Sequence, residues 1–317
     1  SELVKTASMQ NLRATIEKEF ISAKSLDYSK MSTQEKIEMK FMEYGMLMKF
    51  DSVIHGNSID QYRFTPSIGL KMSRVASYVD DIQQVLGKDN IRILTPIPNS
   101  TFVGIEVPRD ERTFPELPQT DGFNIAFGQT TEGEDFIVDA RDLPHALVAG
   151  ATGAGKSVFL NAVITQMGRF DNSDIVLCDP KRVEMIGFKN ASNVTDYIAD
   201  HIEIALKLMD IVNEMEERYK TLAAAGVKNI KSYDGDMRYM FVVLDEYGDV
   251  MAGKFKKDVE NAIQRIAQLG RAAGIHLIIA TQRPSVKVIS GEIKANFPTK
   301  IAFRMAKKID SQVLLDS

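Results

Sequence analysis

The chain is expected to fold as an α/β protein, a mainly parallel sheet forming its larger part, preceded by a small α+β domain and an N-terminal helical segment. Five short runs, residues 146–149, 175–178, 241–244, 277–280 and 301–303, are almost uninterruptedly apolar. That is the composition of parallel strands covered on both faces. Helical patterns alternate with them, as parallel crossovers require. The 317 residues exceed one average domain. Between 108 and 122 the stretch PRDERTFPELPQTDG carries three prolines and no periodicity, which reads as a linker. The expected organisation is a helical segment over 1–34, a small α+β domain over 35–110, a linker over 111–123 and the α/β domain over 124–317.

The first fifty residues read as helical. Leu12, Ile16 and Phe20 repeat at four-residue spacing, and Ser32-x-x-Glu35 resembles a capping box ahead of a Met-rich helix. Met39, Met42, Met46 and Met48 are best taken as packing, since Met at helical spacing fills gaps in cores. An extended stretch follows around 59–64. Next comes a helix with Met72, Val75, Val79, Ile82 and Leu86 on one face, closed by Gly87. Ile91/Ile93 and Val103/Ile105/Val107 alternate as strands around Pro96 and Pro98. In the larger part, a long helix from about His201 to Ala224 places Ile204, Leu208, Ile211 and Met215 on one face and stops at Gly226.

The formal net charge of −4 argues against nucleic acid as a partner only on average. Between Arg283 and Lys308 seven basic residues face a single acid, Glu292. A solvated charged face is the plain explanation; a phosphate-binding face is the functional one. No apolar stretch approaches the roughly 20 residues of a membrane span. The single cysteine, Cys178, lies in an apolar run and reads as a core residue, which fits a reducing cytoplasm.

Gly150-x-x-x-x-Gly155-Lys156-Ser157 follows a strand and precedes a helical run. This is the P-loop pattern in its required context, and it calls for a nucleoside triphosphate, ATP, with Mg²⁺. Gly150, Thr152, Gly153, Ala154, Gly155, Lys156, Ser157 and Val158 would form the cradle, its backbone N–H groups turned on phosphate oxygens. Lys156 would reach the β- and γ-phosphates and Ser157 the metal. A P-loop needs a second, acidic element from a neighbouring strand. The run Phe241-Val242-Val243-Leu244 ends in Asp245 and Glu246, so Asp245 is the candidate for the Mg²⁺ shell and Glu246 for the general base. Gln282 follows the strand of His276 to Ala280 and is placed to sense the γ-phosphate. Asp179-Pro180-Lys181 follows the strand of Cys178; its charges either line the site or form an ion pair that fixes a loop. His145 and His276, beside strands, read as structural histidines.

Together these segments resemble the FtsK/SpoIIIE family of DNA-translocating ATPases. LPHALVAGATGAGKSVFLNAVI is similar to the family's P-loop region, CDPKR to its Asp-Pro-Lys element and VVLDEYGDVMA to its acidic strand, although Tyr247-Gly248-Asp249 departs from the more usual Phe-Ala-Asp. The stretch from Arg265 to Ser317 follows the family pattern, and IQQVLGKDNIRILTPIPNSTFVGIEVP is similar to the small domain preceding the motor. The resemblance covers roughly Glu35 to Ser317 and offers no counterpart for residues 1–34. It implies a RecA-like motor, assembled as a homohexameric ring with ATP sites between subunits and double-stranded DNA in the pore. Arg271 is the leading candidate for an arginine contributed to the neighbouring site, with Arg265 and Arg304 behind it; Lys287 and Lys294 become candidate DNA contacts. No membrane region or winged-helix domain is present in this chain, and the end at Ser317 suggests a fragment of something longer or a compact mobile-element version. Protein secretion by the same superfamily and a non-hydrolysing ATP-binding ring are the alternatives to DNA movement in segregation, transfer or packaging.

Overall fold

A computed structural model describes residues 28–143, 145–286 and 288–315. The helical pattern around Leu12 to Phe20 and Lys287 lie outside the described residues. The chain divides into two compact units, one comprising residues up to Glu116 with 129–134, the other 117–128 and 135 onward.

In the first unit, α1 (Thr33–Glu43) begins on the capping box expected from the sequence: the Ser32 hydroxyl accepts from Glu35 N, and the Glu35 carboxylate accepts from Ser32 N. Strands β1 (Met48–His55) and β2 (Ile59–Pro66) follow, then α2 (Met72–Ala76), α3 (Val79–Leu86), β3 (Arg92–Leu94) and β4 (Val103–Pro108). Helical periodicity did not anticipate β1, because Met48 continues the methionine spacing into a stretch that pairs with β2 instead. The helix expected over 72–86 is two helices, the second closed by Gly87 at φ +62°. The sheet is antiparallel in the order β1-β2-β4-β3. Ile37, Phe41, Val75 and Ile82 of the helices bury against Phe64, Val103 and Ile105 of the sheet. Of the four methionines read as packing, Met46 is fully buried while Met42 is exposed.

The second unit opens with β5 (Asn124–Gln129, all but its last residue) and β6 (Asp135–Asp139), a pair that the sequence pattern did not suggest. It continues through β7 (His145–Ala149), α4 (Lys156–Met167), β8 (Ser173–Cys178), β9 (Val194–Ile198), α5 (His201–Ala224), β10 (Tyr239–Leu244), α6 (Tyr247–Val250), α7 (Lys256–Leu269), β11 (Ile275–Thr281), α8 (Gly291–Asn296), β12 (Thr299–Ala302) and α9 (Lys308–Leu315). Six strands form one sheet, order β12-β7-β11-β10-β8-β9, every pairing parallel. The α/β class with a mainly parallel sheet is therefore correct.

Alternate residues of each strand face opposite sides. Leu147, Val176, Val242 and Leu277 pack under α5 and α7, whereas Val148, Leu177, Val243 and Ala280 pack under α4. Full burial of such a side chain contributes about 1.5–3 kcal/mol relative to exposure. Asp200 caps α5 by accepting from Ile202 N and Glu203 N, and Gly226 at φ +70° follows its end. Cys178 is fully buried, and burial pushes its thiol up to about 12, so it is the inert core residue expected.

Candidate functional site: a phosphate cradle at the carboxyl ends of the strands

The P-loop leaves β7 at Ala149 and enters α4 at Lys156. Gly153 (φ +74°) and Gly155 (φ +105°) occupy backbone conformations that side chains disfavour. Gly150 is required for a different reason: a Cβ there would lie 2.6 Å from Phe303 Cβ. The segment after β12 braces the loop, because Ala151 N donates to the Arg304 carbonyl and Phe303 N to the Ala149 carbonyl. Gly155 caps α4 without any side-chain hydrogen bond. The first N–H groups of the helix are thus left for an anion, which is the chemistry of a phosphate site.

The acidic strand does not adjoin the P-loop strand. β11 lies between β7 and β10, which places the two functional ends about 10 Å apart. The sequence reading placed the acidic residues on a neighbouring strand; they are one strand further. Lys156 spans the gap, and its ammonium pairs with Asp245 Oδ1, both residues being almost wholly buried. The interposed strand brings Thr281 and Gln282 into the middle of the cluster. Gln282 Oε1 accepts from the Thr152 hydroxyl at 3.2 Å, so Gln282 does meet the P-loop.

Glu246 sits at φ +52°, ψ +62°, a left-handed conformation that is uncommon for a residue with a Cβ. Its Oε1 accepts from the Thr281 hydroxyl (3.1 Å) and Gln282 N (3.2 Å). Its Oε2 accepts from Lys181 Nζ at 3.2 Å. Sequence reasoning left the Asp179-Pro180-Lys181 pair undecided, and the two residues divide the alternatives. Lys181 reaches the acidic cluster. Asp179 is fully buried and ties its loop, accepting from Met185 N (3.0 Å) and the Tyr197 hydroxyl (3.2 Å).

The cleft over the P-loop is lined by residues 151–153, 155–158, Glu184 and Gln282. Thr281 and Glu184 were not singled out from the sequence. Thr281 ends an apolar strand, so its hydroxyl was the available signal; Glu184, three residues after Lys181, had none. Among the described residues no cluster of three His, Cys, Asp or Glu side chains could hold a metal alone. Ser157 and Asp245 suit Mg²⁺ only as a partial oxygen set completed by phosphates and water, which is the usual manner of that ion.

Other candidates lie elsewhere. Arg271 is exposed at the amino end of β11, 3.9 Å from Asp142, roughly 20 Å along the strands from its own P-loop. Arg265 is exposed on α7 and Arg304 follows β12, both without contact to Lys156, Asp245 or Glu246. Lys294 is half-buried and donates to the Val313 carbonyl at 2.9 Å. His145 and His276 are structural: Nδ1 of the first accepts from Leu277 N, and Nδ1 of the second donates to the Leu143 carbonyl. No helix among the described residues is long and apolar enough to cross a membrane.

The FtsK/SpoIIIE family model matches residues 118–251 and 233–286, and the FtsK alpha domain model matches residues 9–109. The alpha-domain match includes residues for which the sequence alone offered no counterpart. The chain is 37% identical over 309 residues to a protein of Bacillus cereus named DNA translocase FtsK, covering 89% of this chain and 39% of that protein. It is 36% identical over 309 residues to the Bacillus subtilis protein named DNA translocase SpoIIIE, again covering 89% of this chain and 39% of its relative. It thus spans about two fifths of the length of these curated relatives. Among solved structures, the pCW3 conjugation coupling protein TcpA, determined with ATPγS, aligns with a TM-score of 0.60 at 27% identity, covering 90% of this chain and 87% of the other. A type VII secretion ATPase, EccC of Thermomonospora curvata, shares the fold with a TM-score of 0.56 at 24% identity, covering 63% of this chain and 26% of the other.

Proposed function

The chain belongs to the FtsK/SpoIIIE family, and on that premise we propose that it is the motor of an ATP-driven translocase of double-stranded DNA. One observation carries the reading. A P-loop cleft lined by Lys156 and Gln282, with Asp245 paired to Lys156 and Glu246 accepting from Gln282 N, occurs in a chain that also matches the alpha domain. The secretion ATPase shares only the fold and covers 63% of the chain, so it gives no ground for protein as cargo.

ATP would lie along the P-loop with its phosphates on the N–H groups from Gly153 to Val158. When bound, Mg²⁺ neutralises charge on the β- and γ-phosphate oxygens, and Ser157 and Asp245 are the residues that would hold it. Binding requires the Lys156–Asp245 pair to open. Lys156 would then turn to phosphate, leaving Asp245 as an oxygen ligand that could hold the metal, so that the buried pair would give way to charge-assisted contacts. Glu246 is the base that would accept a proton from the attacking water, and Gln282 would report the γ-phosphate to the P-loop through Thr152. Arg271 is too far to serve its own site, so its proposed role as an arginine finger needs a neighbouring subunit, in keeping with a hexameric ring. Duplex DNA would run against the basic segment after Arg283, with Lys287 and Lys294 as the candidate contacts.

Steady-state ATP hydrolysis with and without long duplex DNA, together with displacement of a third strand from that duplex, tests the proposal. DNA-stimulated turnover with strand displacement is the expected outcome. Hydrolysis without either stimulation or displacement overturns DNA as the cargo; absence of hydrolysis by assembled rings favours a scaffold.

A further inference from the structure

We propose that Lys181 is a positioning residue for Glu246, so that the loop after β8 forms a third arm of the catalytic centre beside the P-loop and the acidic strand. The inference rests on the ATPase reading above. β10, which ends in Asp245 and Glu246, is flanked in the sheet by β11 on one side and β8 on the other. Each neighbour supplies donors to the same carboxylate: Thr281 and Gln282 from the end of β11, Lys181 from the loop after β8. Glu246 is therefore clamped from both sides at the exit of its strand.

A carboxylate has about four lone-pair sites, and three donors occupy three of them. One is left for a water. Which one is left depends on Lys181, because Thr281 and Gln282 share Oε1, while Lys181 is the protein donor on Oε2. The ammonium also offsets the cost of holding a carboxylate that is only 5% exposed. Lys181 lies 3.7 Å from Asp249 on α6 as well, so two acids fix its head. Burial works against the Lys181 ammonium, but Glu246, Asp249 and Asp245 outweigh it and hold its pKa above the ordinary lysine value.

The loop itself is built to present this lysine. Asp179 anchors both ends: its carbonyl accepts from Arg182 N and its carboxylate from Met185 N. Arg182 adopts φ +57°, and Pro180 limits the backbone between them. The left-handed backbone of Glu246 points to the same conclusion, since strain of that kind persists where surrounding contacts over-determine it.

The test is steady-state ATPase kinetics of the full chain with duplex DNA, comparing wild type, Lys181→Ala and Lys181→Arg, with thermal melting and binding of a fluorescent ATP analogue alongside. Lys181→Ala is expected to lower kcat about 10- to 100-fold while KM and analogue affinity stay within about twofold. Lys181→Arg should recover most of the loss, because a guanidinium, though different in shape, keeps a positive charge and an N–H donor for the single contact to Oε2. Unchanged kcat in Lys181→Ala overturns the inference. So does a rise in KM at unchanged kcat, which would make Lys181 a nucleotide ligand, or a loss of Tm that Lys181→Arg fails to restore, which would make it a structural brace. A wild-type chain without turnover overturns the ATPase reading and this inference together; turnover in wild type that is insensitive to Lys181 overturns this inference alone.

Discussion

The two ends of the six-stranded sheet treat buried titratable groups in opposite ways. At the carboxyl ends, Lys156, Asp245 and Glu246 are buried as charges, each with an oppositely charged partner. At the amino ends, His145 and His276 are equally buried, and burial, aided by His276 and Arg271, pushes His145 down to about 3 and keeps it neutral. Ion pairs at that end, such as Lys231 with Asp142 and Arg238 with Asp174, are substantially exposed and contribute little. The difference teaches where a ligand can act. A neutral histidine bonded to backbone has nothing to exchange, whereas a buried charge pair stores interactions that an incoming phosphate and metal can take over.

Removing the charge of Glu246 is expected to break the carboxyl-end arrangement most severely. Glu246→Gln should lower kcat by about 10³-fold, with ATP-analogue affinity kept within a few-fold; a variant that hydrolyses ATP normally would remove Glu246 from the chemistry. Lys156→Ala should abolish nucleotide binding and also strand Asp245 as an unpaired buried charge, costing about 3–5 kcal/mol in urea denaturation. The double variant Lys156→Met/Asp245→Asn should be more stable than Lys156→Ala, since it leaves no unpaired buried charge behind. If the single and double variants unfold alike, the pair is not what makes this end costly to disturb. Gly150→Ala forces the P-loop away from Phe303 and should cost about 1–3 kcal/mol, with weaker analogue binding at unchanged secondary structure by circular dichroism.

Legibility followed the same division. The parallel sheet was readable because its strands are buried on both faces, so apolar runs such as Phe241 to Leu244 survive in the sequence as blocks. The P-loop and the two carboxylates were readable because local order puts them next to such blocks. What required the structure was adjacency between strands. Nothing in sequence spacing says that β11 separates β7 from β10, and so nothing says that Thr281 and Gln282 N bond to Glu246. The Lys181 contact was hidden for the same reason, 65 residues separating the partners. β1 and β5 were missed on physical grounds: half-exposed strands carry a weak alternation, and around Met48 it is masked by methionines that continue the preceding helix. β5 is held to α4 by the buried Gln166 side chain, which accepts from Ala126 N and donates to the Ala126 carbonyl, a contact no apolar pattern contains.

The smallest expected effect sharpens the comparison from the amino end. Free histidine takes up its proton near pH 6.5, and the unfolded chain would do so at His145, whereas folded His145 resists until about pH 3. Between these values the unfolded state binds the additional proton, so stability falls as pH falls, by about 1.4 kcal/mol per unit. From pH 7 to pH 5 the loss attributable to His145 is about 2 kcal/mol. His145→Asn cannot titrate, and its side-chain oxygen can still accept from Leu277 N. Urea denaturation at the two pH values should therefore show a flatter acid dependence in the variant, by about that amount, with DNA-stimulated ATPase little changed at pH 7. An identical acid dependence in variant and wild type would mean that His145 is charged in the fold, and the contrast between a charge-storing and a charge-excluding end of the sheet would fail.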